Sequence, residues 1–505
     1  MNSVTKHRQR GDLAALLLVA LAAFAIHALT NHRYGFHRDE LATIDDARRL
    51  AWGYVAYPPI TPAIARLALE LFGPSLVGLR LFSSLAMSGS MVLAGLMARE
   101  LGGNRSSQLI AALAVAIAPI VLIQGALFQY VAFDYLWWVL LAYLTLRLLN
   151  RDDARWWLAI GTVIGLGMMT KYTMAFGVAG LVGGVLLTPV RRFLRSPWLW
   201  GGVLLSLLIV LPNLIWQAQH NWISLQFLSA IHARDVAIGR TSGYLVEQLV
   251  VCANVFVLPL WVAGLYGYFF NPTLARYRVL GWVYLIAFVL FFLAEGRSYY
   301  LAPAYPMLFA AGAVIGEQRL VGLATRRARL ARRSTWVALA LGGLTFAPLM
   351  LPVAPVNSRL WHVANSLHDN FAEEIGWVEL TETVAAIYDT LPAAARAQTG
   401  ILTGNYGEAG ALNLYGPAYG LPTAISGVNS YWLRGYPEPP PTTLIVVGFS
   451  RETVDRYFAA CAQAGTVTNR YGVENQESRD HPIIYLCRQL REPWPRVWAE
   501  FQRFG

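Results

Sequence analysis

The chain is poor in charge. Only 14% of its 505 residues are Asp, Glu, Lys or Arg, against about 25% in ordinary soluble domains, and the mean hydropathy is +0.44. That shortage excludes a soluble globular enzyme. Cysteine is scarce as well: three residues, with no CxxC pair and no Cys/His cluster, which argues against a structural zinc module or a disulfide framework. No internal repeat is evident, and low complexity is confined to the prolines of 437–441. What is abundant is apolar sequence, 56% of the chain, gathered in runs near the roughly 20 residues that cross about 30 Å of hydrocarbon.

These runs predict eleven spans, at 12–30, 75–98, 107–123, 127–149, 156–170, 173–189, 198–216, 244–270, 277–294, 301–316 and 335–351. The first follows Lys6, Arg8 and Arg10. It is too long for a signal peptide and lacks a small-x-small cleavage site, so it reads as a retained span. A net charge of +11 would suit nucleic acid, but the arginines sit in short loops between spans. With the N-terminus inside, every inner loop is basic, from Arg99 and Arg105 through Arg191, Arg192 and Arg195 to the cluster between Arg319 and Arg333. This is the positive-inside pattern, and an odd span count puts the C-terminus outside.

The expected architecture is an α-helical polytopic membrane domain, 1–356, followed by a small extracytoplasmic α/β domain, 357–505. In the second, the strand-length runs LIVVGF (444–449) and PIIYLC (482–487) alternate with a helix expected over 451–464, and Asn405 with Glu408 fits a capping-box helix start. Cys461 and Cys487 both fall there, where a bridge is permitted. Cys252 reads as a buried filler.

The first outer loop, 34–62, concentrates the ionisable groups. Asp39 to Trp52 and Ile60 to Phe72 read as amphipathic helices lying in the membrane interface, and the loop 217–243 as a third interfacial piece. Asp45, Asp46, Arg48 and Arg49 read as a solvated face with i,i+3 or i,i+4 pairs. All membrane-associated candidates for chemistry gather on the outer side: Asp39 and Glu40 after span 1, Asp134 at the start of span 4, Lys171 in the span 5–6 turn, His232 and Arg234 in the span 7–8 loop, and Arg297, Tyr299 and Tyr300 in the span 9–10 turn. A positioned carboxylate can deprotonate a hydroxyl, and Lys or Arg can hold a phosphate and stabilise it as a leaving group. Each has a plainer alternative. Asp39 and Glu40 could cap a helix, Asp134 could be an N-cap, Lys171 and Arg80 could snorkel, and His232 could be an ordinary interfacial histidine.

HRDELATIDDARRLAWGYVAYPPITPAIARL, with LMARELGG, MMTKYT, RSPWLW, LPNLIWQ, RSYYLAPAYP and the tail ILTGNYGEAGALNLYGPAYGLPTAISGVNSYWLRG, resembles the glycosyltransferase family 39-like proteins of the GT-C superfamily. Protein O-mannosyltransferases and the lipid A aminoarabinose transferase belong to the same superfamily. The resemblance covers nearly the whole chain. It implies a bacterial inner-membrane enzyme that takes a monosaccharide from a polyprenyl-phosphate donor and passes it, with inversion, to a lipid, glycan or protein acceptor. It also implies Asp39 as base with Glu40 beside it, Asp134 as second carboxylate, and Lys171 and Arg297 as donor-phosphate contacts. His37, Arg38, Tyr57, His232, Tyr299 and Tyr300 are expected around the substrate. Relatives often carry a polar pair or a lysine before the two prolines, where Ala56-Tyr57 stands here. Some members use a divalent cation, and Asp39, Glu40 and Asp134 could hold Mg²⁺ or Mn²⁺ through oxygen. A transporter or flippase is the competing reading; ionisable residues at span ends and the lack of repeats weigh against it.

Overall fold

The structure, a computed structural model, describes residues 3–321 and 323–505, with side chains from residue 11 onward; the charges of Lys6, Arg8 and Arg10 lie outside the described residues. The chain divides into two compact units, one of Met1–Asn31, Arg80–Gln219 and His232–Leu351, the other of His32–Leu79, His220–Ile231 and Pro352–Gly505. The second unit therefore draws its residues from the loop after the first span as well as from the C-terminal part of the chain.

The first unit is helical. Each of the eleven expected segments is helix, but among the described residues only six helices are long and apolar enough to cross a membrane, or up to nine if each of three bent pairs is one span. Of the other two, Trp156–Met168 has 13 residues, and the last expected span lies in Thr325–Met350, whose first turns are rich in arginine. The pairs Arg105–Ala116 with Pro119–Gly125, Met174–Leu186 with Pro189–Arg195, and Tyr244–Ala253 with Val255–Phe270 bend by 66°, 99° and 86°. The first two break where a proline, Pro119 or Pro189, lacks the amide a continuous helix needs. The third breaks at Asn254, held at a φ of 99°.

Glycine seams join the helices of this unit. A Cβ on Gly161 would lie 2.0 Å from the Gly202 carbonyl oxygen, one on Gly264 2.1 Å from that of Leu308, and one on Gly312 1.9 Å from that of Leu260. Gly180 and Gly184 meet Val283 and Val279 in the same way. Where lipid removes the hydrophobic drive between helices, such close backbone approach supplies the packing.

The second unit is α/β. After the loop that follows the first span supplies α1 (Arg38–Ala47) and α2 (Ile60–Phe72), the C-terminal part adds α3 (Trp377–Asp389), β1 (Thr399–Thr403), α4 (Tyr406–Tyr415), β2 (Ala424–Ser426), β3 (Thr443–Val447), α5 (Arg451–Tyr457), β4 (Phe458–Thr466) and β5 (Ile483–Leu490). The five strands form one sheet in the order β2-β1-β3-β5-β4. β1 is parallel to β2 and β3, while β5 runs antiparallel to β3 and β4. The helix expected over 451–464 stops at Tyr457. From Phe458 the chain extends, because pairing with β5 sets Cys461 opposite Cys487, and the two are bridged. The helix expected over 39–52 likewise ends at Ala47, while α2 keeps its expected bounds.

Helices α1 and α4 are pressed together by small residues. A Cβ on Gly407 would sit 2.7 Å from Arg38 Cβ, and one on Gly410 2.7 Å from the Leu41 carbonyl carbon. Helix α4 leaves the carboxyl end of β1 through the capping box of Asn405 and Glu408. That packing carries the first turn of α1 to the parallel strand ends.

Candidate active site

The sequence-predicted residues fall into two clusters, one in each unit. In the second unit, His37 caps α1: its Nδ1 accepts from the Asp39 amide at 3.2 Å, and the Glu40 carboxylate accepts from the His37 amide at 2.8 Å. Glu40 is fully buried, so its carboxylate serves the cap. Asp39 is different. Its side chain is 34% exposed, with Oδ2 3.8 Å from His37 Nδ1, and Oδ1 accepts from the Tyr406 hydroxyl at 2.8 Å.

Arg38, expected near substrate, turns instead into the unit. Its guanidinium donates to Gln476 at 2.5 Å and to Glu477 at 3.3 Å, with Glu373 at 3.6 Å. Tyr57 donates to Asp46 Oδ2 at 2.6 Å, so its hydroxyl is committed to the loop's own fold. Asp45 and Asp46 depart furthest from expectation: both are buried, not solvated. Asp45 accepts from Arg434 at 2.6 Å, Asn413 at 2.8 Å and Arg49 at 2.7 Å, and Asp46 pairs with the other arm of Arg434. Burial raises both carboxyls, but Arg434 and Arg49 pull Asp45 below its ordinary value. Asp46, enclosed and beside the Asp45 charge, stays raised at about 6 despite Arg434 and Tyr57.

Behind Arg38 lies a buried acid group. Burial and then the Glu477 charge push Glu373 and Glu408 up to about 8. Between 4.5 and about 8 the folded unit therefore holds protons on these groups that the unfolded chain has lost, so stability falls as pH rises through that window. Glu408→Gln, which keeps a capping-box residue, is expected to raise the denaturation midpoint on the alkaline side of the window. Near about pH 5 it should leave the midpoint unchanged. Midpoints of the full-length protein across pH check this.

In the first unit, Asp134 is buried in the helix Tyr130–Arg151, whose N-cap is Gln129, so Asp134 is not a cap. Its Oδ2 accepts from Thr173 at 3.1 Å. Lys171 does not snorkel: it is 8% exposed, its Nζ has no hydrogen-bond partner among the described residues, and it lies 5.2, 5.1 and 4.0 Å from the ring centres of Tyr130, Tyr299 and Tyr300. Three ring faces around one ammonium form a cation–π cage. Asp134 lies within electrostatic reach of that ammonium. Arg297 Nε donates to buried Asp235 at 2.6 Å, and its Nη1 donates to the Tyr299 hydroxyl at 3.4 Å. Arg80 is fully buried, with the Asn31 carbonyl at 3.4 Å, and does not snorkel either. His232 is exposed. Among the described residues no group of three or more His, Cys, Asp or Glu could hold a metal ion, so the proposed oxygen set of Asp39, Glu40 and Asp134 gains no support.

Tyr130, Thr173, Asp235, Tyr406 and Arg434 had escaped sequence reasoning. One signal was available for the cage: Lys6 and Lys171 are the only lysines in the chain. Where arginine serves nearly every other basic position, a retained lysine marks a place that needs a compact ammonium.

The fold is similar to that of solved glycosyltransferase structures. ArnT from Cupriavidus metallidurans, in its structure bound to undecaprenyl phosphate, aligns with a TM-score of 0.57 at 14% identity, covering 94% of this chain and 98% of that one. The arabinofuranosyltransferase AftD from Mycobacteria aligns with a TM-score of 0.53 at 15% identity, covering 94% of this chain and 41% of that one. A family model described as dolichyl-phosphate-mannose-protein mannosyltransferase matches residues 56–216. The undecaprenyl phosphate-alpha-4-amino-4-deoxy-L-arabinose arabinosyl transferase 1 of Pseudomonas fluorescens is 34% identical over 151 residues, which is 28% of this chain and 27% of that relative. The chain thus shares its fold with solved membrane glycosyltransferases over nearly its whole length, and its sequence is similar to a mannosyltransferase family model and to an aminoarabinose transferase over part of it.

Proposed function

We propose that the chain is an inverting glycosyltransferase that moves a monosaccharide from a polyprenyl-phosphate donor to a lipid, glycan or protein acceptor. It works at the outer face of a bacterial cytoplasmic membrane, with the N-terminus inside and residues 357–505 forming an extracytoplasmic domain. Lys171 carries the reading: a buried ammonium in a tyrosine cage, with Asp134 within electrostatic reach but no hydrogen-bond acceptor among the described residues, keeps its donors for an anion from outside the chain. A lipid-linked phosphate has the matching charge.

In this reading Asp39 takes the proton of an acceptor hydroxyl. The hydroxyl oxygen bonds to the anomeric carbon from the face opposite the leaving group, and the bond from that carbon to the phosphate oxygen breaks. Polyprenyl phosphate departs with its new charge met by Lys171 and Arg297. Tyr130, Tyr299 and Tyr300 keep water from the ammonium, Asp235 holds Arg297, and Asp134 balances Lys171. His37 and Glu40 hold the turn that presents Asp39.

A transporter or flippase of a lipid-linked substrate is the second reading, favoured by the three bent helix pairs, since broken helices commonly carry transporter sites. Asp39→Asn separates the two in a deletion strain whose envelope glycolipids and glycoproteins are followed by mass spectrometry. The enzyme reading expects transfer to fall by about 10²–10⁴-fold, the usual worth of a positioned base, at unchanged membrane levels. Undiminished transfer would remove Asp39 as base.

A further inference from the structure

The group that holds Asp39 comes from the far end of the chain. Tyr406, the first residue of α4, donates its hydroxyl to Asp39 Oδ1 at 2.8 Å across a sequence separation of 367. The ring is fixed from several sides. Asn405 and Glu408 cap the helix at that point, Gly407 and Gly410 leave no slack between α4 and α1, and the Arg38 guanidinium lies 6.0 Å from the ring centre. Arg38 is in turn held by Gln476, Glu477 and Glu373.

We infer that Tyr406 is a positioning residue for the Asp39 carboxylate, so that the C-terminal α/β portion completes the catalytic apparatus instead of merely following it. This rests on Asp39 being the base. A hydroxyl donated to a carboxylate fixes which oxygen is engaged and favours the charged form. Donation to Oδ1 aims the rest of the group and keeps it ionised toward acid pH. The charged or titratable groups facing Asp39 are His37 and Arg38 from its own turn and Tyr406 from α4, with Glu373 and Glu477 behind Arg38.

The test uses the full-length enzyme added to solubilised membranes of a deletion strain, which supply donor and acceptor, with polyprenyl phosphate release followed by mass spectrometry across pH. Tyr406→Phe removes only the hydroxyl. It is expected to lower kcat about tenfold, the scale of one hydrogen bond to a charged group, with KM for the donor unchanged. The acid limb of the pH–rate profile should move to higher pH. Site-specific difluorotyrosine at 406 keeps the ring and makes the hydroxyl a stronger donor, so the limb should move the other way. This second variant covers the case in which the phenylalanine protein does not fold. A wild-type profile in both variants, with Asp39→Asn inactive, overturns the positioning role and leaves the base assignment standing. Full activity in Asp39→Asn removes the base assignment, and the inference with it.

Discussion

Replacing Arg434 with methionine is expected to destabilise the unit built from the loop after the first span and the C-terminal residues by about 3–5 kcal/mol, the usual cost of stranding a buried charge. Arg434 spans Asp45 and Asp46 with its two arms, and both carboxylates are buried. Removing it leaves two adjacent buried acids, with Arg49 and Asn413 still on Asp45 and Tyr57 on Asp46. Asp46, already raised to about 6 with Arg434 in place, should then rise further, so the loss is larger at alkaline pH. The check is thermal denaturation of the purified protein. Adding Asp45→Asn and Asp46→Asn to the methionine variant should return most of the lost midpoint. An unchanged midpoint in the single variant would mean that the network adds nothing to stability.

Lys171→Met is expected to do more to activity and, combined with Asp134→Asn, the opposite to stability. A buried ammonium without a hydrogen bond costs more to keep than a methionine of similar length, which makes favourable contacts with rings, once Asp134→Asn is added so that no buried carboxylate is stranded. The denaturation midpoint of that double variant should hold or rise. Sugar transfer by Lys171→Met alone should fall by about 10²–10³-fold, the scale seen when one charge stabiliser of a transition state is lost. Lys171→Arg should rescue poorly, because a planar fork does not fill a cage shaped for a compact charge. Parallel measurement of polyprenyl phosphate release and thermal midpoint decides it. If activity and the double variant's midpoint fall together, the lysine is structural and the phosphate role is wrong.

How much of this was legible in the sequence depended on the distance between partners. Most of the spans were legible because a hydrophobic run is local information; what composition missed was that three of them bend and that two of the eleven expected segments are not, among the described residues, long and apolar enough to cross a membrane. Helix α2 matched its expected bounds because Pro59 and Gly73 mark its ends. Asp45 and Asp46 were misread as a wet face because their partner Arg434 lies 389 positions from Asp45, and a helical pattern cannot report such a contact. The segment FAACAQAGT was misread as helix because its alanines favour one. Only pairing with β5 makes it a strand, and that same pairing decides the Cys461–Cys487 bridge. Asp39 and Lys171 could be picked out as charges at span ends, but not what holds each of them. The tyrosine rings around one and the single tyrosine on the other come from turns far along the chain.

The long reach between Asp45 and Arg434 bears on how the protein is made. A ribosome delivers the loop after the first span early, yet the arginine that neutralises it emerges only after nearly four hundred further residues. Until then two carboxylates destined for the interior must remain hydrated, and the loop cannot settle into its final packing. Chains released before that point would leave a membrane-embedded bundle bearing an unfinished acidic flap, a natural handle for quality control to recognise.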